Sequence, residues 1–155
     1  MDKKKRKIIQ FPIRKGGSYK FPSSITIIGE ESFSGCNNLT NLIIPNNVTI
    51  IERAAFKGCS RLKYINIPDN IKIISDEIFY GCVNLLRVTF PEILISIGKK
   101  SFCGCKNLTF LIMPKSVRII DRVAFGECKK LKFVFFQGQS PEKFETDIFS
   151  GISRE

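Results

Sequence analysis

The sequence predicts a solenoid, a column of stacked coils, and three observations predict it. Phenylalanine recurs at Phe33, Phe56, Phe79, Phe102 and Phe125, each 23 residues after the last. Four further columns keep that step: Cys36, Cys59, Cys82, Cys105 and Cys128; Leu39, Leu62, Leu85, Leu108 and Leu131; Pro22, Pro45, Pro68, Pro91 and Pro114; Ile28, Ile51, Ile74, Ile97 and Ile120. A period between about 20 and 30 residues belongs to repeat architectures, whose units bury their apolar faces only by stacking on one another. With 155 residues, 43% of them hydrophobic, the chain is one domain whose core is drawn out into a thin column.

Each element of the coil follows from residues 62–68. Leu62, Ile65 and Ile67 point inward while Tyr64 and Asn66 point outward, the pattern of a half-buried strand. Pro68 ends that strand because it has no N–H for the ladder. Ile71, Ile73 and Ile74 form a second extended segment that turns the coil. Ser75 or Asp76 then caps a single helical turn over residues 77–80, stopped by Gly81. Residues 52–58, 98–104 and 121–126 repeat this turn. Phe79 is the large plug of the coil and Cys82 its small neighbour. The chain divides into a basic tail with a degraded half-repeat (1–20), five repeats plus a modified last unit (21–151), and a short tail (152–155). In the last unit Gln137 replaces the proline, and Phe149 falls 24 residues after Phe125. Neither end carries a strong polar cap.

The pattern Leu-x-x-Ile-x-Ile-Pro, then Val or Ile, Ile, and Ala-Phe-x-Gly-Cys, closely resembles the BspA-like class of leucine-rich repeats. Residues 39–45 with Val48, Ile51 and Ala55-Phe56-Lys57-Gly58-Cys59 match it best, with residues 108–114, Val117, Ile120 and Ala124-Phe125. The resemblance covers residues 21–151. It implies a curved, right-handed, horseshoe-like α/β solenoid with one parallel strand and a short helical turn per 23-residue repeat. It also implies a binding protein, many members being cell-surface or adhesion proteins of bacteria and parasitic protozoa, with no shared catalytic residues.

Charge is unevenly spread. Residues 1–20 hold eight Lys or Arg against Asp2, which leaves only +4 of the formal +11 for the rest. That distribution argues against a nucleic-acid-binding face. No secretory leader follows the early lysines, and no run of apolar residues reaches the length of a membrane span. Parallel coils hold equivalent cysteines side by side, whereas a disulfide needs Cβ atoms pointing at each other, so the cysteine column reads as reduced packing residues. Cys103 is off register and pairs in sequence with Cys105, but without histidine a zinc site would need four thiolates. Sequons at Asn38, Asn47 and Asn107 would stay unused without export. These features agree on an intracellular protein, nuclear or cytoplasmic, with the cell surface as the alternative.

The absence of histidine excludes histidine-based triads and dyads, and the acids Glu30, Glu31, Glu52, Asp76 and Glu77 sit near the N-termini of the expected helical turns, where negative charge is structural. The chain reads as no enzyme and calls for no metal or cofactor. Outward strand positions form two columns, Asn41, Tyr64, Arg87, Phe110, Phe133 and Ile43, Asn66, Thr89, Ile112, Phe135. Tyr64, Arg87, Phe110, Ile112, Phe133 and Phe135 make the candidate protein-binding face. Two other readings stay open: the C-terminal segment covers the patch, or the in/out assignment slips by one residue. The run Lys3, Lys4, Lys5, Arg6, Lys7 is a candidate nuclear import signal for an importin. The expected function is therefore a protein-interaction module with a protein partner, and the C-terminal coil offers a site of self-association. Surface adhesion is the alternative, and nucleic-acid association through the tail a weaker one.

Overall fold

The computed structural model describes residues 6–10 and 17–152. Among them run thirteen short strands: β1 (Arg6–Ile8), β2 (Gly17–Lys20), β3 (Ile25–Ile28), β4 (Leu39–Ile43), β5 (Ile50–Ile51), β6 (Tyr64–Asn66), β7 (Ile73–Ile74), β8 (Arg87–Thr89), β9 (Ser96–Ile97), β10 (Phe110–Met113), β11 (Ile119–Ile120), β12 (Phe133–Phe136) and β13 (Lys143–Phe144). Every pairing is parallel and most join residues one repeat apart, as in Asn41 to Tyr64 to Arg87. Even-numbered strands make one side of the column, as β2-β4-β6-β8 and β10-β12; odd-numbered strands make the other, as β1-β3-β5 and β7-β9-β11-β13. The second extended segment expected at the isoleucines is a strand, paired from coil to coil. The solenoid itself stands as expected.

Between the two sides lies the core, and its columns are the repeat columns. The rings of Phe33, Phe56, Phe79, Phe102 and Phe125 stack one on the next, with centroids 5.2, 5.6, 5.3 and 5.4 Å apart. All five rings are fully buried. Offset stacking at this separation adds about 0.5–1.5 kcal/mol per pair to the gain from burial. Four of the column cysteines sit beside this stack and donate their thiols to a phenylalanine carbonyl of the preceding coil: Cys59 to Phe33 at 3.1 Å, Cys82 to Phe56 at 3.2 Å, Cys105 to Phe79 at 3.3 Å and Cys128 to Phe102 at 3.2 Å. All six cysteines are free and buried. Burial first, then the neighbouring thiols, raises these groups: Cys59 to about 12 and Cys82 and Cys105 well above their ordinary value, with burial alone the leading cause for Cys128, also at about 12.

The expected helical turn is not a helix. Glu31, Ala54, Glu77, Lys100 and Val123, one per coil, take φ values between 52° and 56°. A left-handed residue cannot propagate a right-handed helix, so the N–H groups that follow turn outward from the coil. They bond the next coil instead: Phe33 to Ala55 O at 2.8 Å, Phe56 to Ile78 O at 3.0 Å, Phe79 to Ser101 O at 2.8 Å. Gly58 and Gly81 do the same to Tyr80 O and Cys103 O at 2.7 and 2.8 Å. This third ladder satisfies the turn backbone that a helix would have satisfied internally. A second left-handed residue closes each turn at Gly35, Gly58, Gly81 and Gly104, and in the next coil at Glu127, with φ of 55°. The stop expected at Gly126 therefore lies one residue later.

The N-terminal end departs from the sequence reading, while the C-terminal end follows it. Arg6 and Lys7, expected in a tail outside the fold, lie in β1, which pairs with β3. Lys7 Nζ approaches Glu52 at 2.7 Å, and Arg6 donates to Ser24 Oγ at 3.1 Å. Lys3, Lys4 and Lys5 lie outside the described residues. At the other end residues 137–151 form a further coil: β13 pairs with β11, and Phe149 stacks on Phe125 at 5.9 Å.

Replacing Phe79 with alanine is expected to cost about 3–5 kcal/mol in denaturant melts, because it empties the centre of a one-dimensional core; a loss below about 1 kcal/mol would remove Phe79 from that role. Gly81→Ala should cost about 1–2 kcal/mol through backbone strain alone, since a Cβ there meets only Gly58 Cα at 3.9 Å. Glu127→Gly should instead gain up to about 1 kcal/mol. The thiols make a prediction in pH. The folded state keeps them protonated above 9.0, their ordinary value, while the unfolded chain loses those protons. Their contribution is therefore fully present below about pH 9 and is lost as pH rises toward about 12, by about 1.4 kcal/mol per thiol per pH unit. Melts at rising pH should show this fall, and Cys82→Ala should make it shallower.

Candidate interaction face

Strand alternation decides what the even-numbered side presents. On β6, Ile65 is buried while Tyr64 is 52% exposed; on β10, Leu111 and Met113 are buried while Phe110 and Ile112 are 37% and 46% exposed. Strand β12 leaves Phe133 70% and Phe135 63% exposed. The parallel register sets Phe110 opposite Phe133 and Ile112 opposite Phe135, so these four side chains form one patch on adjacent strands. Tyr64 and Arg87 occupy the same column two and one coils earlier. The hydrogen-bonded ladder breaks between β8 and β10, and the Arg87 guanidinium bridges the break, lying 5.7 Å from the Phe110 ring centre. All six residues singled out in the sequence therefore lie on one exposed side. Among the described residues the C-terminal segment does not fold back over them, because it is occupied in closing the stack.

The rims of this side differ. The turns that lead into its strands expose Arg61, Lys63, Lys106, Lys129, Lys130 and Lys132. The turns that leave it carry Asp69 and Glu92 alongside Lys115. A shallow hollow lined by Arg87, Thr89, Glu92, Phe110, Ile112 and Gln137 sits at the boundary between the two halves of the side.

The acids at the coil turns have a different role from the one expected. With no helix there is no helix dipole for them to meet, and they pair between coils instead. Arg53 reaches Glu30 at 2.7 Å, Glu31 at 3.4 Å and Glu77 at 3.6 Å, and Lys57 reaches Glu77 at 2.7 Å. The Lys57 hydrogen bond first, opposed by slight burial, holds Glu77 below its ordinary value, and Lys7 does the same for Glu52. Lowered carboxylates of this kind are the opposite of the raised group that a general acid needs. Two sequon asparagines are also tied between coils, Asn47 to the Ser23 and Ile25 carbonyls and Asn107 to Asn84 at 3.0 Å. Among the described residues no group of three or more His, Cys, Asp or Glu side chains is placed to hold a metal ion, and no helix is long and apolar enough to cross a membrane.

Sequence reasoning missed the odd-numbered side. Ile50, Ile73, Ile95 and Ile119 are 40%, 61%, 42% and 37% exposed there. The signal was the doublets Ile50-Ile51, Ile73-Ile74 and Ile119-Ile120, in which the second residue is buried and the first faces out. Ile43, read as outward but left out of the candidate face, is 77% exposed beside the Tyr64 column.

The BspA type leucine rich repeat region matches residues 15–132 in six copies. Solved structures agree. A leucine-rich repeat protein from Bacteroides ovatus is similar with a TM-score of 0.72 and 32% identity over 83% of this chain and 35% of that one. A leucine-rich repeat protein of T. pallidum gives 0.74 and 32% over 77% of this chain and 58% of that one. A leucine rich cell surface protein from Faecalibacterium prausnitzii gives 0.85 and 26% over 90% of this chain and 37% of that one. The chain thus spans between about a third and somewhat over half of these proteins. No curated protein is significantly similar to it in sequence.

Proposed function

This chain belongs to the BspA-type leucine-rich-repeat family, and from that premise we propose that it is a non-catalytic protein-binding module whose working surface is the β10–β12 half of the even-numbered side. The observation that carries this reading is the exposed cluster of Phe110, Ile112, Phe133 and Phe135 on two adjacent strands. Large apolar side chains facing solvent contribute little to folding, and grouped aromatics are what interface hot spots are made of. Tyr64 and Arg87 extend the surface toward the N-terminal coils, and both residue types are enriched at such centres.

The F. prausnitzii protein's description as a cell surface protein favours surface display as a second setting for the same binding role. Protease treatment of intact cells separates that setting from an intracellular one. Import through the basic run is the third, and the engagement of Arg6 and Lys7 in β1 works against it, since an importin reads an extended, unpaired segment. Self-association is a further interaction of this module: the outer side of β12 carries no strand among the described residues, and Val134, Phe136, Phe149 and Ile152 line a hollow beneath it. Sedimentation over a concentration range tests it.

The face itself is tested with ligands selected on the intact protein from a random peptide display library. Introducing Phe133→Ser with Phe135→Ser should weaken their binding at least about tenfold, or 1.4 kcal/mol, while changing stability by less than about 1 kcal/mol. Ligands that bind both forms alike would move the interaction elsewhere. A strongly destabilised variant would make these phenylalanines part of the folding core.

A further inference from the structure

The charges bordering the aromatic patch are one-sided and unspent. Residues 60–63, 83–86, 106–109 and 129–132, the turns that enter the even-numbered strands, contain Arg61, Lys63, Lys106, Lys129, Lys130 and Lys132 and no acid. All six are exposed. Elsewhere several cations are matched, Arg53 and Lys57 by Glu30 and Glu77, Arg122 by Asp147, while unmatched ones such as Lys20 and Lys72 are not gathered beside an exposed aromatic cluster. On this rim only Lys129 has a carboxylate nearby, Glu127 at 3.8 Å; among the described residues Arg61, Lys63, Lys106, Lys130 and Lys132 pair with none. Lys132 adjoins Phe133 directly, and Lys106 enters the strand of Phe110. Like charges held together without counter-charge repel one another, and an anionic partner relieves that repulsion as it binds.

Resting on the face proposed above, the geometry points to one class of occupant: an extended peptide segment in which acidic and branched or aromatic apolar residues alternate. Its apolar side chains cover Phe110, Ile112, Phe133 and Phe135, and its carboxylates meet the rim of Lys63, Lys106, Lys130 and Lys132. Alternation suits an extended chain, whose successive side chains point to opposite sides. A single-stranded nucleic acid fits less well. Ile112 offers no ring for a base to stack on, and Asp69 and Glu92 on the opposite rim repel a chain charged along its whole length.

The test uses fluorescence anisotropy with the whole protein and three labelled probes: a peptide alternating Glu or Asp with Ile or Leu, its Gln and Asn analogue, and an oligothymidine. The acidic peptide is expected to bind, to weaken as salt rises, and to exceed its amide analogue by at least about tenfold in affinity. Lys106→Glu with Lys132→Glu should remove that preference while leaving the melting transition in place. Equal binding of the two peptides, or no binding of the acidic one, overturns the inference. So does tighter binding of the oligothymidine that is lost in the same lysine variant, which would assign the rim to phosphates. Library ligands that still depend on Phe133 and Phe135 would in that case leave the face standing and refute only the acidic partner. Ligands indifferent to those phenylalanines would refute the face as well.

Discussion

Coils stacked in parallel meet their neighbours at the spacing of β-strands, about 4.8 Å, and everything else in this protein depends on that spacing. Side chains at one register must pack on copies of themselves, so a residue suits a column only if it packs on its own kind. Phenylalanine rings tilted between 7° and 27° to one another do so. Cysteine does so for a different reason, being small enough to sit beside the rings and able to give its proton to a carbonyl in the preceding coil. A serine there would fill the same space with a group far more costly to bury.

The same spacing explains the unusual backbone. The turn could have satisfied its N–H groups internally, as a helix does, but a neighbouring coil is always present at hydrogen-bonding distance. The chain therefore takes a left-handed residue in every coil, even where that residue is Val123, whose branched side chain suits it poorly. The local cost is offset by a ladder running through the whole stack. Local preference yields to neighbour contact wherever the two disagree.

Legibility follows from this. The period, the inward columns and the outward direction of Phe110, Phe133 and Phe135 could be read because alternation and repetition are properties of sequence. The supposed helical turn could not, since residues 77–80 carry the apolar spacing of either a helix or a chain of tight turns, and only the sign of φ at Glu77 separates them. Strand β1 was hidden because Arg6 and Lys7 look like tail residues and are held by distant partners, Ser24 and Glu52, that lie 18 and 45 residues away from them. The unpaired state of Lys132 and its neighbours is likewise a fact about absent partners in space, which no linear pattern records.

Protection of the thiols is graded along the stack. Cys36, toward the N-terminal coils, is raised only by burial; Cys59 and Cys128 reach about 12; Cys82 and Cys105, in the middle, are raised well above their ordinary value by burial and by neighbouring thiols. Exposure of any one requires the coils around it to part. The column thus carries its own ruler: the order in which its sulfurs meet an electrophile records from which end, and how far, the stack has frayed.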